Sequence, residues 1–275
     1  MKVYCILSDE RAYRSKSPAI FTTVMQRQGI RGMYVPFKVQ PQEVGNALQS
    51  LKILGIAGAN VTIPYKQAVI PYLDILSEGA NVIGAINTIV INGEELKGYN
   101  TNAIGFMDAL DSVDFNPEGK SALIFGTGGA ARAVAFILNW LRTDAIVVTG
   151  RSDDKVQQIV KSFGGEGASF ESLEKDINVD IVINATSVSS PDESPEMAAL
   201  VADLNIKGCE LLVDLNYNRP QNFWQDKARE NDIRFMDGLL PLSYQARRTF
   251  ALWTGLQLPP EEFINAVNGN GPGAL

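Results

Sequence analysis

Lys66 closes the stretch Gly58-Ala-Asn-Val-Thr-Ile-Pro-Tyr-Lys66. Two further stretches, Ile83-Gly-Ala-Ile-Asn-Thr88 and Gly98-Tyr-Asn-Thr-Asn-Ala-Ile-Gly-Phe106, repeat its asparagine and threonine. Both residue types donate and accept hydrogen bonds, so together they suit a small polyhydroxylated ligand. Singly, each is an ordinary turn or cap residue; the repetition is what points to a site. A fourth stretch, Ser121-Ala-Leu-Ile-Phe-Gly-Thr-Gly-Gly-Ala-Ala-Arg-Ala133, carries different chemistry. Apolar Ala122–Phe125 reads as a buried parallel strand, Gly126 stops it, and from Ala130 the pattern is helical. In that context a G-x-G-x-x-G/A match cradles a pyrophosphate. Gly126 permits the tight turn, Gly128 lets backbone approach the phosphates, and Ala131 lets helix and strand pack closely. Gly129 and Ala130 open the helix, whose free N–H groups and positive dipole end favour an anion.

The next strand, Ala145–Thr149, ends in Gly150-Arg-Ser-Asp-Asp-Lys155. In this kind of unit the end of the second strand touches the adenosine ribose, where an acidic residue favours NAD and an arginine accommodates the NADP 2′-phosphate. Arg151, Ser152 and Lys155 suit a phosphate dianion. Asp153 and Asp154 count against that unless they open the following helix, where acids are common. NADP is the favoured cofactor, and NAD stays open.

The chain has 275 residues, 45% of them hydrophobic and 20% charged, an ordinary globular balance with ample core material. A net charge of −7 argues against a nucleic-acid groove. No apolar run approaches the ~18–20 residues of a membrane span. The start, Met1-Lys2-Val3-Tyr4, reads as a strand and not a signal peptide. There is no histidine, and the two cysteines, Cys5 and Cys209, are far apart in sequence. A zinc site is therefore not expected, and acid–base work falls to a tuned Lys, Asp, Glu, Tyr or Cys. Reduced, buried cysteines fit a cytoplasmic protein.

Several elements must position these groups. Strands are expected at Lys2–Leu7, Gly32–Val39 and Ile56–Val61. Helices are expected after Ser17, taken as an N-cap ahead of Pro18, and at Gln42–Leu54, Tyr65–Leu73 and Ser77–Ile83. Asn87–Ile91 and Glu95–Tyr99 read as a hairpin with a type I′ turn at Asn92-Gly93, followed by a helix from Asn102. From Asn116-Pro-Glu-Gly119 a βα rhythm sets in, with strands ending at Phe125, Thr149, Asn184, Asp214 and Met236, and a surface loop after Ser189. This alternation implies an α/β fold with a parallel sheet covered on both faces. Two domains are expected: residues 1–115 for substrate and 116–237 as a Rossmann-type NADP domain, with a cleft between them. Helices in 238–275 pack back on the first domain, and Asn268 to Leu275, with three glycines, reads as frayed.

The whole pattern resembles the shikimate dehydrogenase family. Ser15-Lys-Ser-Pro18 is similar to its Ser-x-Ser-Pro, Asn60-Val-Thr-Ile-Pro-Tyr-Lys66 to its N-V-T-x-P-x-K, and Gly84-Ala-Ile-Asn-Thr88 to its G-A-x-N-T. Asn184-Ala-Thr-Ser187 resembles its nicotinamide-side loop, and Asp214-Leu-Asn-Tyr217-Asn-Arg-Pro220 its D-x-x-Y-x-P. Gly238-Leu-Leu-Pro-Leu-Ser-Tyr-Gln-Ala246 with Trp253-Thr-Gly255 resembles its C-terminal helix. The resemblance implies reversible NADPH-dependent reduction of 3-dehydroshikimate to shikimate by a monomer or homodimer. It implies Lys66 and Asn102 as catalytic residues and Ser15, Ser17, Asn60, Thr62, Asn87, Tyr217 and Gln245 as substrate contacts. Thr186 and Gly238 join the glycine turn, Arg151, Ser152 and Lys155 on the cofactor. Quinate and aminoshikimate are alternative substrates.

One position departs from the family where chemistry is done. The family reads N-T-D-x-x-G-F and pairs that aspartate with the lysine; this chain has Asn100-Thr-Asn102-Ala-Ile-Gly-Phe106. Asn102 keeps the hydrogen bonding and loses the charge. An introduced substitution, a slower natural relative in which Lys66 works alone, and drift to another substrate or to silent ligand binding all fit it. Ser189, where the family carries glycine, is a smaller departure.

Overall fold

The computed structural model describes residues 1–268, so the expected frayed tail beyond Asn268 lies outside the described residues. The chain forms two compact units: Met1–Gly105 with the chain from Leu242 onward, and Phe106–Pro241.

The first unit holds β1 (Lys2–Ser8), α1 (Ser17–Arg27), β2 (Gly32–Lys38), α2 (Val44–Ile53) and β3 (Gly58–Val61). After these come β4 (Ile75–Leu76), α3 (Glu78–Ile83), β5 (Thr88–Asn92) and β6 (Glu95–Tyr99), and then the start of α4 (Thr101–Ser112). The sheet order is β2-β1-β3-β5-β6-β4. β1 is parallel to β2 and β3, while β3–β5 and β5–β6 are antiparallel. Residues alternate across the pleat of β1. Cys5 and Leu7 join a core with Leu48, Leu51 and Val61, and Tyr4 stacks on Trp253 with ring centroids 4.7 Å apart.

Three local expectations need correction here. Tyr65–Leu73 is not a helix; only a 3-10 turn forms at Ile70–Tyr72, with β4 behind it. Pro71 has no N–H for a helical ladder. α1 begins at Ser17 with Lys16 as N-cap, so Ser17 is helical and makes no capping bond. The hairpin turn is Gly93-Glu94, because Asn92 pairs with Glu95. Gly93 has φ +60 and Glu94 is not among the positive-φ residues, a type II′ pattern in place of I′.

The second unit runs through β7 (Ser121–Phe125), α5 (Gly129–Trp140), β8 (Ala145–Gly150), α6 (Asp153–Phe163) and β9 (Glu166–Ser169). It continues with β10 (Asp176–Asn178), β11 (Ile181–Asn184), α7 (Pro195–Asp203) and β12 (Asn205–Lys207). β13 (Leu211–Asp214), α8 (Phe223–Glu230) and β14 (Arg234–Asp237) complete it. Its main sheet has the order β14-β13-β11-β7-β8-β9, every pair parallel. Read from β9, this is the doubly wound order of dinucleotide-binding folds. Ile181, Val182 and Ile183 are wholly buried, as a strand covered on both faces requires. Trp224 packs edge-on to Phe125 in the core, each such side chain contributing about 1.5–3 kcal/mol by leaving water. The loop expected after Ser189 contains α7. Its Ser194 accepts from the Met197 N–H, with Pro195 next, so residues that read as loop are in fact the helix's start signal.

The chain then enters α9 (Leu239–Thr254) and ends the described part with α10 (Pro260–Val267). Phe250 and Phe263 meet edge-on, which ties these two helices together.

Candidate functional site

In the first unit the candidate residues collect at one end of β3 and β5. The Ile86 N–H donates to the Lys66 carbonyl (2.7 Å) and the Val61 N–H to the Asn87 carbonyl (2.9 Å). Asn60 adds a third stitch: its Nδ2 donates to the Asn87 carbonyl (2.9 Å) and to Thr88 Oγ1 (3.1 Å), and its Oδ1 accepts from the Tyr34 hydroxyl (2.7 Å). Both Asn60 amide hydrogens are thus committed inside the protein.

Asn87 Oδ1 accepts from the Thr101 N–H (2.6 Å), and its Nδ2 donates to Thr101 Oγ1 and to Gln245 Oε1 (2.8 Å each). Behind them Thr88, Thr101 and Thr249 bring their hydroxyls within 2.9–3.2 Å of one another. The network is buried, and its members hydrogen-bond one another as burial demands. It locks the orientation of Asn87 and Gln245. Asn100 Oδ1 accepts from the N–H groups of Asn102 and Ala103. Asn100 therefore caps α4, and Asn102 stands in its first turn at the positive dipole end.

Lys66 is half-buried by accessible surface, but protein packs densely around its ammonium, and burial alone lowers its pKa to about 8. Among the described residues no ion pair or hydrogen bond holds that ammonium, and no carboxylate offsets the desolvation. An amine poised near neutrality can both give and take a proton. Thr62 sits half-buried in the connection to Lys66, its N–H bonded to the Leu7 carbonyl (3.1 Å). At the start of α1 the Ser17 N–H donates to Ser15 Oγ (3.1 Å). Ser17 as a residue is buried, yet among the described residues nothing bonds its hydroxyl, which is therefore available to a ligand. Two hydroxyls at a helix N-terminus suit a carboxylate.

In the second unit the glycine turn lies between β7 and α5. Gly126 has φ +117, and its N–H donates to the Thr149 carbonyl (2.8 Å). Gly128 is the N-cap of α5 and makes no side-chain cap bond. A β-carbon on Gly128 would meet no atom of the described residues within 4 Å. Packing does not demand that glycine, and with Gly129 and Ala130 it leaves an open helix N-terminus. Arg151 and Lys155 are exposed, and Ser152 caps α6 without a side-chain bond. Asp153 and Asp154 fall in the first turn of α6, where acids favour the dipole. The residues present therefore fit a dinucleotide with an extra phosphate.

Thr186 donates to Asn184 Oδ1 (2.7 Å) and accepts from the Val188 N–H (3.1 Å), so its side chain shapes its own loop. The Gly238 N–H donates to the Asn216 carbonyl (3.0 Å), and a β-carbon there would overlap the Leu215 carbonyl. Tyr217 lies half-buried in the loop after β13, in this second unit. Ser15, Ser17, Asn60, Thr62, Lys66, Asn87, Asn102 and Gln245 all belong to the first unit.

Comparison with known proteins bears on the whole chain. Residues 10–89 match the model of the shikimate dehydrogenase substrate binding domain, and residues 109–237 that of shikimate / quinate 5-dehydrogenase. Shikimate dehydrogenase (NADP(+)) of Caldanaerobacter subterraneus is 37% identical over 250 residues, 88% of this chain and 88% of that protein. The chain belongs to the shikimate dehydrogenase family. Among solved structures, shikimate dehydrogenase 1 of Peptoclostridium difficile superposes with a TM-score of 0.87 at 28% identity, covering 98% of each chain. The Thermus thermophilus shikimate 5-dehydrogenase, solved in complex with NADP(H) and shikimate, gives 0.85 at 29% identity over 98% of this chain and 99% of that one.

Within this shikimate dehydrogenase relative, sequence reasoning missed the groups that hold the site. Thr249 and Tyr34 carry no motif signal. Asp214 was visible only as a motif letter. It is fully buried and accepts from Asn184, Ser189, Asn222 and both the backbone and side chain of Asn216, at 2.7–3.0 Å. Burial still raises its pKa. Ser189, the smaller family departure, donates one of these bonds (2.7 Å) and joins the loops after β11 and β13. Among the described residues no helix is long and apolar enough to cross a membrane.

Proposed function

We propose that this chain catalyses the reversible reduction of 3-dehydroshikimate to shikimate with NADPH. The observation that carries the reading is Lys66, a half-buried lysine with no counter-charge among the described residues, whose pKa burial lowers to about 8. It stands in the stretch that Asn60, Ile86 and Asn87 stitch together.

When bound, NADPH supplies the hydride to the ketone carbon. Lys66 Nζ gives its proton to the alkoxide that forms, and its charge stabilises that oxyanion before the transfer is complete. In the reverse direction neutral Lys66 takes the hydroxyl proton. Ser15 and Ser17 hold the substrate carboxylate at the start of α1. Asn102 hydrogen-bonds the reacting hydroxyl, and Gln245 contacts the ring. Asn60, Thr62 and Asn87 shape the wall. Gly126, Gly128, Gly129 and Ala130 receive the pyrophosphate, Arg151, Ser152 and Lys155 the 2′-phosphate, and Thr186 and Gly238 the nicotinamide end.

The test is absorbance at 340 nm with shikimate, quinate and aminoshikimate, each with NADP+ and NAD+. Shikimate with NADP+ should give the highest kcat/KM. A higher value with quinate or aminoshikimate would reassign the substrate. No turnover on any of them, with shikimate still binding, would make the chain a silent ligand-binding relative.

A further inference from the structure

An amide side chain offers donors on one side and an acceptor on the other, so its orientation decides what it recognises. In this protein the orientation of Gln245 follows from a backbone group that cannot turn over. The Thr101 N–H is a donor by constitution, and it lies 2.6 Å from Asn87 Oδ1. Asn87 therefore has its carbonyl oxygen on that side, and its Nδ2 must face Thr101 Oγ1 and Gln245 Oε1, each at 2.8 Å. Gln245 accordingly turns its oxygen inward, where Thr101 Oγ1 also lies within 3.2 Å. Its nitrogen, bonded to nothing among the described residues, faces the remaining exposed side. Asn87 and Gln245 are 3% and 8% exposed, so water contributes little to this choice.

We propose that Asn87 acts as a polarity-setting residue that makes Gln245 a donor-only contact. The ligand group opposite Gln245 must then be an acceptor: a hydroxyl, ketone or carboxylate oxygen. An ammonium there would face two N–H groups with no lone pair to bond, and unpaired buried polar groups are strongly disfavoured. Asn87 acts here through Gln245, so it is a positioning residue for ligand selection. Thr249 supports the relay, lying 3.0 Å from Thr101 Oγ1 and 2.9 Å from Thr88 Oγ1. This inference rests on the proposed function for the identity of the ligand, and not for the amide orientation itself.

The first experiment uses the unaltered chain. Hydrogen exchange of the side-chain amides is followed by NMR in isotope-labelled protein. The Asn87 NH2 should exchange slowly, and the Gln245 NH2 rapidly until shikimate slows and shifts it. A protected Gln245 NH2 in the free protein would overturn the proposal. If shikimate moves neither signal while Gln245 NH2 exchanges fast, the orientation stands and the assigned substrate fails instead.

The second experiment compares shikimate with analogues in which each ring hydroxyl in turn is an amine. Asn87→Asp has no donor to offer, so Gln245 should turn its nitrogen inward and its oxygen to the ligand. The wild-type chain should disfavour at least one amine analogue by ~10-fold or more, the scale of an unmatched polar group. Asn87→Asp and Gln245→Glu should both narrow that ratio, while Thr249→Ser should leave it unchanged. Retained NADPH fluorescence binding in the other unit would show that each variant is folded. Narrowing by Gln245→Glu but not by a folded Asn87→Asp would overturn the role of Asn87. If Asn87→Asp does not fold, the exchange pattern of the unaltered chain decides.

Discussion

A β-carbon placed on Gly126 would lie 2.9 Å from the carbonyl of Ala185, the residue that follows β11. Together with φ +117, this contact makes Gly126 a requirement of the fold, whereas a β-carbon on Gly128 would meet nothing within 4 Å among the described residues. The two glycines should therefore respond differently to alanine. Gly126→Ala should destabilise the protein by at least ~1–3 kcal/mol, the scale of a residue forced into a disfavoured conformation, and lower Tm. Gly128→Ala should leave Tm nearly unchanged and, if the proposed pyrophosphate site holds, weaken NADPH binding by filling the space the phosphates would take. Thermal melts and NADPH fluorescence titration separate the two effects.

Lys66, with its pKa lowered to about 8, predicts opposite pH limbs for the two directions. Ketone reduction needs the ammonium and should fall as pH rises through about 8. Shikimate oxidation needs the free amine and should rise through the same value. Initial rates in both directions over pH 6–10 test this.

The same shift has a stability consequence. Below about 8 the folded and unfolded chains both carry the proton, and the folded state bears the full cost of a desolvated charge. Between about 8 and the ordinary lysine value near 10.4 only the unfolded chain stays protonated, so this cost is relieved as pH rises. Lys66→Met should abolish turnover and raise Tm at pH 7, and the gain should shrink by pH 10.

Asn102 stands in the first turn of α4, bonded through its N–H to Asn100 Oδ1 (3.0 Å). An aspartate there would be kept ionised by the helix dipole, which favours such an anion by ~0.3–1 kcal/mol. It would hold Lys66 as a cation and accept from the substrate. Asn102→Asp should raise kcat at least ~10-fold, about 1.4 kcal/mol of barrier, and move the pH limbs upward. An unchanged or lower kcat would make Asn102 a working feature of this chain and count against shikimate as its substrate.

Arg151 is exposed and without an ion-pair partner among the described residues, so its interaction with a 2′-phosphate should be direct. Arg151→Ala should weaken NADP binding by ~1.5–3 kcal/mol, the range for hydrogen bonds to charged groups, with little change for NAD. Equal losses for both cofactors would show that Arg151 does not read the phosphate.

Ser15 and Ser17 meet at the start of α1, where a carboxylate would be held equally in ground and transition states. Replacing both with alanine should raise the shikimate KM strongly and change kcat little. A collapse of kcat at constant KM would place the serines in the chemistry instead.

Five of the six strands in the main sheet of the second unit were legible, because buried parallel strands such as Ile181–Asn184 are short apolar runs between turn residues; β9, β10 and β12, short and largely exposed, carry no such run and were missed. Tyr65–Leu73 was misread, since apolar spacing outweighed Pro71. Ser194-Pro195 was taken for loop because a helix's first residues are the same polar types that make turns. The motif residues around Lys66, Asn87 and the glycine turn were visible because each lies in a contiguous stretch whose local backbone needs those side chains.

The amino-acid sequence alone determined the fold class, the family, and which side chains are chemically able to bind anions or move a proton. These follow from residue type and short-range spacing, which the chain carries without folding. Tertiary structure alone decided what each side chain is committed to. Asn60 spends its amide on Tyr34, Asn87 and Thr88, and Gln245 is oriented by a residue 158 positions away. Thr249 reaches Thr88 across 161 positions, and Asp214 gathers donors from two loops. Lys66 owes its pKa to the packing around it. Hydrogen-bond partnership and desolvation are properties of neighbours in space, and only folding chooses those neighbours.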